Sequence, residues 1–100
     1  MKQITEYQTF VEKTCTYRDN VYPVLGLAGE TGEFLELVKK AWRDHDEFWA
    51  DYIDKDKAIS ELGDILWYIT RIASILDIDM ESIINGNVEK LLDRKKNGKK

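Results

Sequence analysis

The chain lacks most of what marks a secreted, membrane-spanning or thiol-dependent protein. Cys15 is its only cysteine, so no internal disulfide can form, and a cytoplasmic setting is the expectation. No apolar run approaches the ~20 residues of a membrane span, and Met1-Lys2-Gln3 opens no signal peptide. His45 is the only histidine. That leaves no Glu-x-x-His pairs for an oxidative di-iron bundle and little support for a hydrolytic triad. No phosphate-binding glycine loop occurs, since Gly26-Leu27-Ala28-Gly29 has neither of the required spacings. Proline is nearly absent, with Pro23 alone, and β-branched runs are short, so long helical stretches meet few breaks. There is no internal repeat and no low-complexity linker.

What is present suits a globular protein. The 100 residues are 43% hydrophobic and 34% charged, enough for one modest core, and residues 1–100 are read as a single domain. The net charge of −4 is uneven. Arg94, Lys95, Lys96, Lys99 and Lys100 make a basic tail on an acidic body. A solvated, frayed terminus over residues 95–100 is the expected reading, and an acidic body disfavours nucleic acid as a partner.

Periodicity predicts four helices. The first runs from about Ile4 to Tyr17, with Ile4, Tyr7, Val11 and Cys15 on one face and Cys15 as a small core residue. The second runs from about Pro23 to Arg43, with Leu27, Phe34, Leu37, Val38 and Ala41 on its apolar stripe. Residues Asp44 to Asp56 read as an acidic loop around Phe48, Trp49 and Tyr52, with room for a short helix inside. These aromatics suit either stacking on a base or pinning the loop to the core. His45 reads as a surface residue. The third helix runs from about Lys55 to Leu76, with Leu62, Ile65, Leu66, Ile69, Ile72, Ala73 and Leu76 as a broad apolar face and Trp67 on the flank away from Asp64 and Tyr68. Asp79 resembles the N-cap of a fourth helix carrying Ile83, Ile84, Val88, Leu91 and Leu92, with Asn87, Lys90 and Arg94 along one side.

Two acidic motifs interrupt this pattern. Glu30 and Glu33 lie three apart in the second helix, and Glu61 and Asp64 three apart in the third. Carboxylates beside apolar stripes are costly unless neutralised. If the two helices pack antiparallel, both pairs can meet and hold one or more divalent cations. Carboxylate oxygens are hard donors suited to Mg²⁺, with Mn²⁺ as a substitute. Because Mg²⁺ commonly takes further ligands from substrate phosphates, the pattern points to phosphoryl or nucleotidyl chemistry. Gly26, Gly29, Gly32 and Gly63 lie beside the acids. They suit close approach of a helix or ligand, or fraying near Gly26.

Leu27-Ala28-Gly29-Glu30-Thr31-Gly32-Glu33, Glu61-Leu62-Gly63-Asp64-Ile65-Leu66-Trp67-Tyr68 and Asn87-Val88-Glu89-Lys90-Leu91-Leu92-Asp93-Arg94 together resemble the MazG-like nucleoside triphosphate pyrophosphohydrolases, of the all-α NTP pyrophosphatase superfamily. The resemblance spans about residues 4 to 98. It implies an all-α four-helix bundle completed by dimerisation, in a homodimer or homotetramer. It implies Mg²⁺-dependent hydrolysis of a (d)NTP to (d)NMP and pyrophosphate by attack of a metal-activated water on the α-phosphorus. By position, Glu30, Glu33, Glu61 and Asp64 would be metal ligands, with Glu33 or Glu30 as catalytic base. Lys90 and Arg94 would face phosphate, Tyr68 would touch substrate, and Asn87 would orient sugar or base. Lys39 and Lys40 fit a solvated helix face better than a phosphate site. Trp42, Trp49 and Trp67 are candidates for subunit interfaces or for core packing. The stretch from Phe34 to Ser60 has its own composition, its aromatics match no single branch of the family, and it is expected to shape the base pocket. The competing expectation is a non-catalytic helical module that binds nucleotides or a protein partner through the same surface.

Overall fold

A computed structural model of the chain describes residues 3–16, 20–45 and 48–98. It is all-α among these residues: α1 (Ile4–Thr14), α2 (Tyr22–His45), α3 (Lys55–Ile75) and α4 (Met80–Lys96), with a single 3₁₀ turn at Trp49–Asp51 between α2 and α3. No described helix is long and apolar enough to cross a membrane.

The helix ends follow local chemistry. Asp54 caps α3 by accepting from Lys57 N–H at 3.2 Å, and Asp79 caps α4 by accepting from Glu81 N–H at 3.3 Å, as its position in the sequence suggests. α1 stops at Thr14, short of the expected Tyr17, which lies outside the described residues along with Arg18 and Asp19. Cys15 already has extended dihedrals. α2 continues two residues past Arg43, through Asp44 and His45. Arg43 and His45 complement the negative end of the helix, and Arg43 Nε donates to Asp44 at 2.8 Å. α3 closes with Asp77 in the left-handed region at φ 57°. There Ile78 N–H reaches Ala73 O at 2.8 Å and Asp77 N–H reaches Ser74 O at 3.0 Å. This is a Schellman closure, and it turns the chain sharply into α4. Lys95 and Lys96 form the last turn of α4; Lys99 and Lys100 lie outside the described residues.

The most extensive packing is α2 against α3, and α1 lies on α3. The inward stripes match the sequence pattern on α1 and α2. Val11 is wholly buried, Ile4, Tyr7 and Cys15 are half-buried beside it, and Leu27, Phe34, Leu37, Val38 and Ala41 all point inward on α2. Thr70 is buried in α3, its hydroxyl satisfied by Leu66 O at 2.7 Å. The broad face of α3 divides. Ile65, Ile72 and Ala73 pack inward, whereas Leu62, Leu66, Ile69 and Leu76 are exposed.

α4 departs most from a closed bundle. It packs on α1 alone to any extent, and past Met80 every described residue of it is exposed, including Ile83, Ile84, Val88, Leu91 and Leu92. The radius of gyration is 16.4 Å, well above the ~13 Å of a compact 100-residue domain. A single chain therefore leaves apolar stripes on α3 and α4 without partners in the fold.

Gln8 ties α1 to the α3–α4 corner. Its Nε2 donates to Ser74 Oγ at 3.1 Å and Ile78 O at 2.9 Å, and its Oε1 accepts from Met80 N–H at 2.9 Å. Gln8→Ala would strand the part-buried Met80 N–H at a cost of about 1–3 kcal/mol. The expected result is a drop in Tm of about 5 °C or more at fixed protein concentration, measured by circular dichroism, with helix content at low temperature unchanged.

Candidate metal centre

α2 and α3 run antiparallel, and their facing stripes put acid against acid. Glu33 faces Glu61, Glu30 faces Asp64 and Gly26 faces Tyr68. The spacing within each helix (four and three residues on α2, three and four on α3) keeps each set on one side. Carboxylate oxygens of Glu30, Glu33 and Glu61 all lie within 4.8 Å of one another. Glu30 and Glu61 are half-buried, and each has one carboxylate oxygen wholly buried with no hydrogen-bond partner. Glu33 is the exposed member of the three. Asp64 stands outside this triad, across a pocket of about 300 Å³ that it lines with Glu30, Trp67 and Tyr68.

The electrostatics are those of like charges held together. A hydrogen bond with Glu33 contributes most to raising the Glu61 carboxyl, helped by burial and by the charges of Glu33 and Glu30, and its pKa rises to about 7. Glu30 is raised first by burial and then by the charges of Glu33 and Asp64. On α1, burial and the Asp64 charge raise the Tyr7 phenol, which places Tyr7 near the same acids. Among the described residues the ion pairs lie elsewhere, Lys39 with Glu36 at 3.0 Å and Arg43 with Asp44. The cluster thus contains three convergent hard donors, two of them with orphaned buried oxygens. This donor set fits a hard divalent cation such as Mg²⁺ or Mn²⁺, with Glu30, Glu33 and Glu61 as the group positioned to hold it.

The structure unites only part of the expected site. Glu30, Glu33, Glu61, Asp64 and Tyr68 come together between α2 and α3. Asn87, Lys90 and Arg94 are exposed on α4, which packs on α1, and they are not among the described residues lining the pocket. Lys39 and Lys40 are exposed on α2, Lys39 paired with Glu36. Trp67 was expected on the opposite flank, yet it lines the pocket, with its ring edge-on to Tyr68 at 5.2 Å and 83°. Trp67 lies three residues after Asp64, so helical spacing itself places it one turn along on the pocket side of α3. The loop aromatics instead pair locally. Tyr52 stacks on His45 at 3.9 Å and Phe48 tilts against Trp49 at 6.0 Å, which favours pinning of the loop. No described residue from the 34–60 stretch lines the pocket. Of the three tryptophans, only Trp42 is broadly exposed.

Comparison with known proteins decides the family. Residues 23–99 match the MazG nucleotide pyrophosphohydrolase domain. The chain belongs to the MazG family. A curated relative, the Gene 37 protein of Mycobacterium phage L5, is 38% identical over 77 residues, covering 77% of this chain and 67% of the phage protein. No solved structure matches the chain. The MazG match begins at Pro23, so it takes in both acidic motifs and α4 but not α1.

The raised carboxyls set a pH signature. Between about pH 4.5 and 7 the folded chain keeps a proton on Glu61 that the unfolded chain releases, so without a cation stability falls as pH rises through this window and then levels. A divalent cation reverses the disadvantage by displacing that proton. Mg²⁺ or Mn²⁺ is therefore expected to raise Tm more at pH 8 than at pH 5.5, read by differential scanning fluorimetry. Equal shifts at both pH values, or a full shift in Glu30→Gln, would count against cation binding at this triad.

Proposed function

We propose that this MazG-family chain is a Mg²⁺-dependent nucleoside triphosphate pyrophosphohydrolase, cleaving a (d)NTP to (d)NMP and pyrophosphate. The observation that carries the reading is the acidic triad with two orphaned buried oxygens at the edge of an aromatic-walled pocket. Family membership supports it.

When bound, Mg²⁺ supplies charge neutralisation at the phosphates and an acidified water for attack on the α-phosphorus. The chain's own groups divide the remaining work. Glu30 and Glu61 would hold the cation through their orphaned oxygens, and Asp64 lines the pocket beside Glu30. Glu33, the exposed member of the triad, accepts the proton of the attacking water as the water oxygen bonds to the α-phosphorus. The bridging α–β phosphoanhydride bond breaks, and pyrophosphate leaves. Trp67 and Tyr68 border the nucleoside portion. Lys90 and Arg94 offset the negative charge that builds on the phosphates, and Asn87 orients sugar or base.

The two halves of this machinery lie on separate parts of one chain, and assembly of copies joins them. Ile59, Leu62, Leu66 and Ile69 make an exposed apolar stripe on α3, and Ile84, Val88, Leu91 and Leu92 make another on α4, the helix that carries Asn87, Lys90 and Arg94. If α4 of a second copy lies along α3, both apolar stripes are buried and its basic edge meets the acids, in a homodimer or a tetramer of dimers. Such an enzyme acts on nucleotide pools in the cytoplasm.

The direct test is pyrophosphate release from a panel of dNTPs and NTPs with Mg²⁺. Release from none of them, with folded protein, overturns the enzyme reading; tight binding of a non-hydrolysable analogue in that case identifies a nucleotide-binding module. Glu30→Gln is expected to lower kcat by about 100-fold or more with the fold retained. Assembly has its own test. Glu30→Gln and Arg94→Ala chains, each inactive alone, are mixed after unfolding and refolding together. Random pairing leaves one intact site in each mixed dimer, so about a quarter of wild-type activity returns if Arg94 acts in trans. No recovery places Arg94 in cis, and full activity of Arg94→Ala on its own places it outside the site.

A further inference from the structure

We propose that Gly26 is a positioning residue that sets the depth of the pocket by seating the Tyr68 ring against the α2 backbone. The inference rests on the nucleotide reading for its kinetic consequence, but its structural core does not.

The six glycines separate cleanly. At Gly29, Gly32, Gly63, Gly86 and Gly98 an added Cβ would meet nothing within 4 Å. At Gly26 it would land on the end of the Tyr68 ring, 2.5 Å from Cζ, 2.9 Å from the hydroxyl oxygen and against Cε1. Gly26 is interior to α2 and has helical dihedrals, so backbone freedom does not explain it. Glycine is a poor helix former there, and only the missing side chain offers a structural return. The phenol fills the space where a methyl group would lie.

The surroundings of the ring give that seat its consequence. Gly26 backs one side of the ring, and Trp67 stands edge-on to it at 5.2 Å. Tyr68 also lines the pocket with Glu30, Asp64 and Trp67. A methyl group on residue 26 needs carbon contacts of at least ~3.5 Å, so the ring end must withdraw by about 1 Å. The α2 backbone blocks one direction, and the open pocket offers room in the other. The ring would then invade the space assigned to the nucleoside. Glu33 and Glu61 lie about two helical turns away on their own helices, and Glu30, one turn from Gly26, is carried by the α2 backbone, which stays in place while the ring withdraws. Gly26 thus acts on substrate fit through Tyr68, and leaves the cation site alone.

A double-mutant cycle on the full chain tests this. Gly26→Ala is expected to raise KM for the preferred triphosphate about tenfold or more, with kcat within about twofold of wild type. The Mg²⁺ midpoint in thermal-shift titration should not move. Because alanine favours the helix, Gly26→Ala should raise Tm by about 2–6 °C once the ring is gone, in a Tyr68→Ala background, and add nothing to its KM. In the wild-type background the same change should give no rise, or a fall. Tyr68→Phe keeps the ring and should keep the sensitivity; it also serves if Tyr68→Ala fails to fold. A similar Tm rise with Tyr, Phe or Ala at position 68, or an equal KM penalty with and without the ring, overturns the proposal. The Tm cycle needs no substrate, so it supports or refutes the seat even if no triphosphate is hydrolysed.

Discussion

The structure depends on a conflict at the α2–α3 interface, where apolar packing brings carboxylates of the same sign together. Leu27, Phe34 and Leu37 on α2, and Ile65 and Ile72 on α3, drive the two helices into contact. That register sets Glu33 against Glu61 and Glu30 against Asp64. Burial alone would make these acids a defect. Among the described residues no arginine or lysine forms an ion pair with these acids, and the ion pairs lie elsewhere. A shared proton is one partial remedy, visible as the pKa of about 7 at Glu61. A divalent cation is the fuller one, because it can satisfy the orphaned oxygens of Glu30 and Glu61 together.

Much of this was legible in the sequence because helical periodicity reports faces well. The inward stripes of α1 and α2 and the meeting of the two acid pairs follow from spacing at about 100° per residue, and the Asp79 cap from a local signal, whereas the Asp54 cap emerges only in the structure. Periodicity does not say what a face meets. Leu62, Leu66 and Ile69 read as core, yet they point outward in the single chain, because an apolar stripe looks the same whether it packs within a fold or between copies. Trp67 borders the pocket because it is three residues after Asp64, a neighbour on the same side that the apolar stripe alone does not reveal. The role of Gly26 was also beyond reach. Its position beside the acids was plain, but separating close approach from fraying required the location of the Tyr68 ring.

The separation of charges has a physical logic on the proposed reading. Were Lys90 and Arg94 packed against Glu30 and Glu61 within one chain, they would form ion pairs with them, and a cation would have to compete with the protein's own side chains. α4 instead carries them away on the far side of a tight Schellman turn, held by Gln8 and by the Thr5–Glu81 hydrogen bond of 2.6 Å. The acids remain electron-rich and the bases remain free of them until a highly charged substrate lies between. A triphosphate with a divalent cation would be such a bridge on the proposed reading, with carboxylates on one side of it and the basic edge on the other. Apolar burial of the α3 and α4 stripes would then supply the binding energy for assembly, so the charged groups need not attract one another directly. On the proposed assembly, the uncovered leucine and isoleucine of α3 and α4 and the distance between the acids and the basic edge would have one cause.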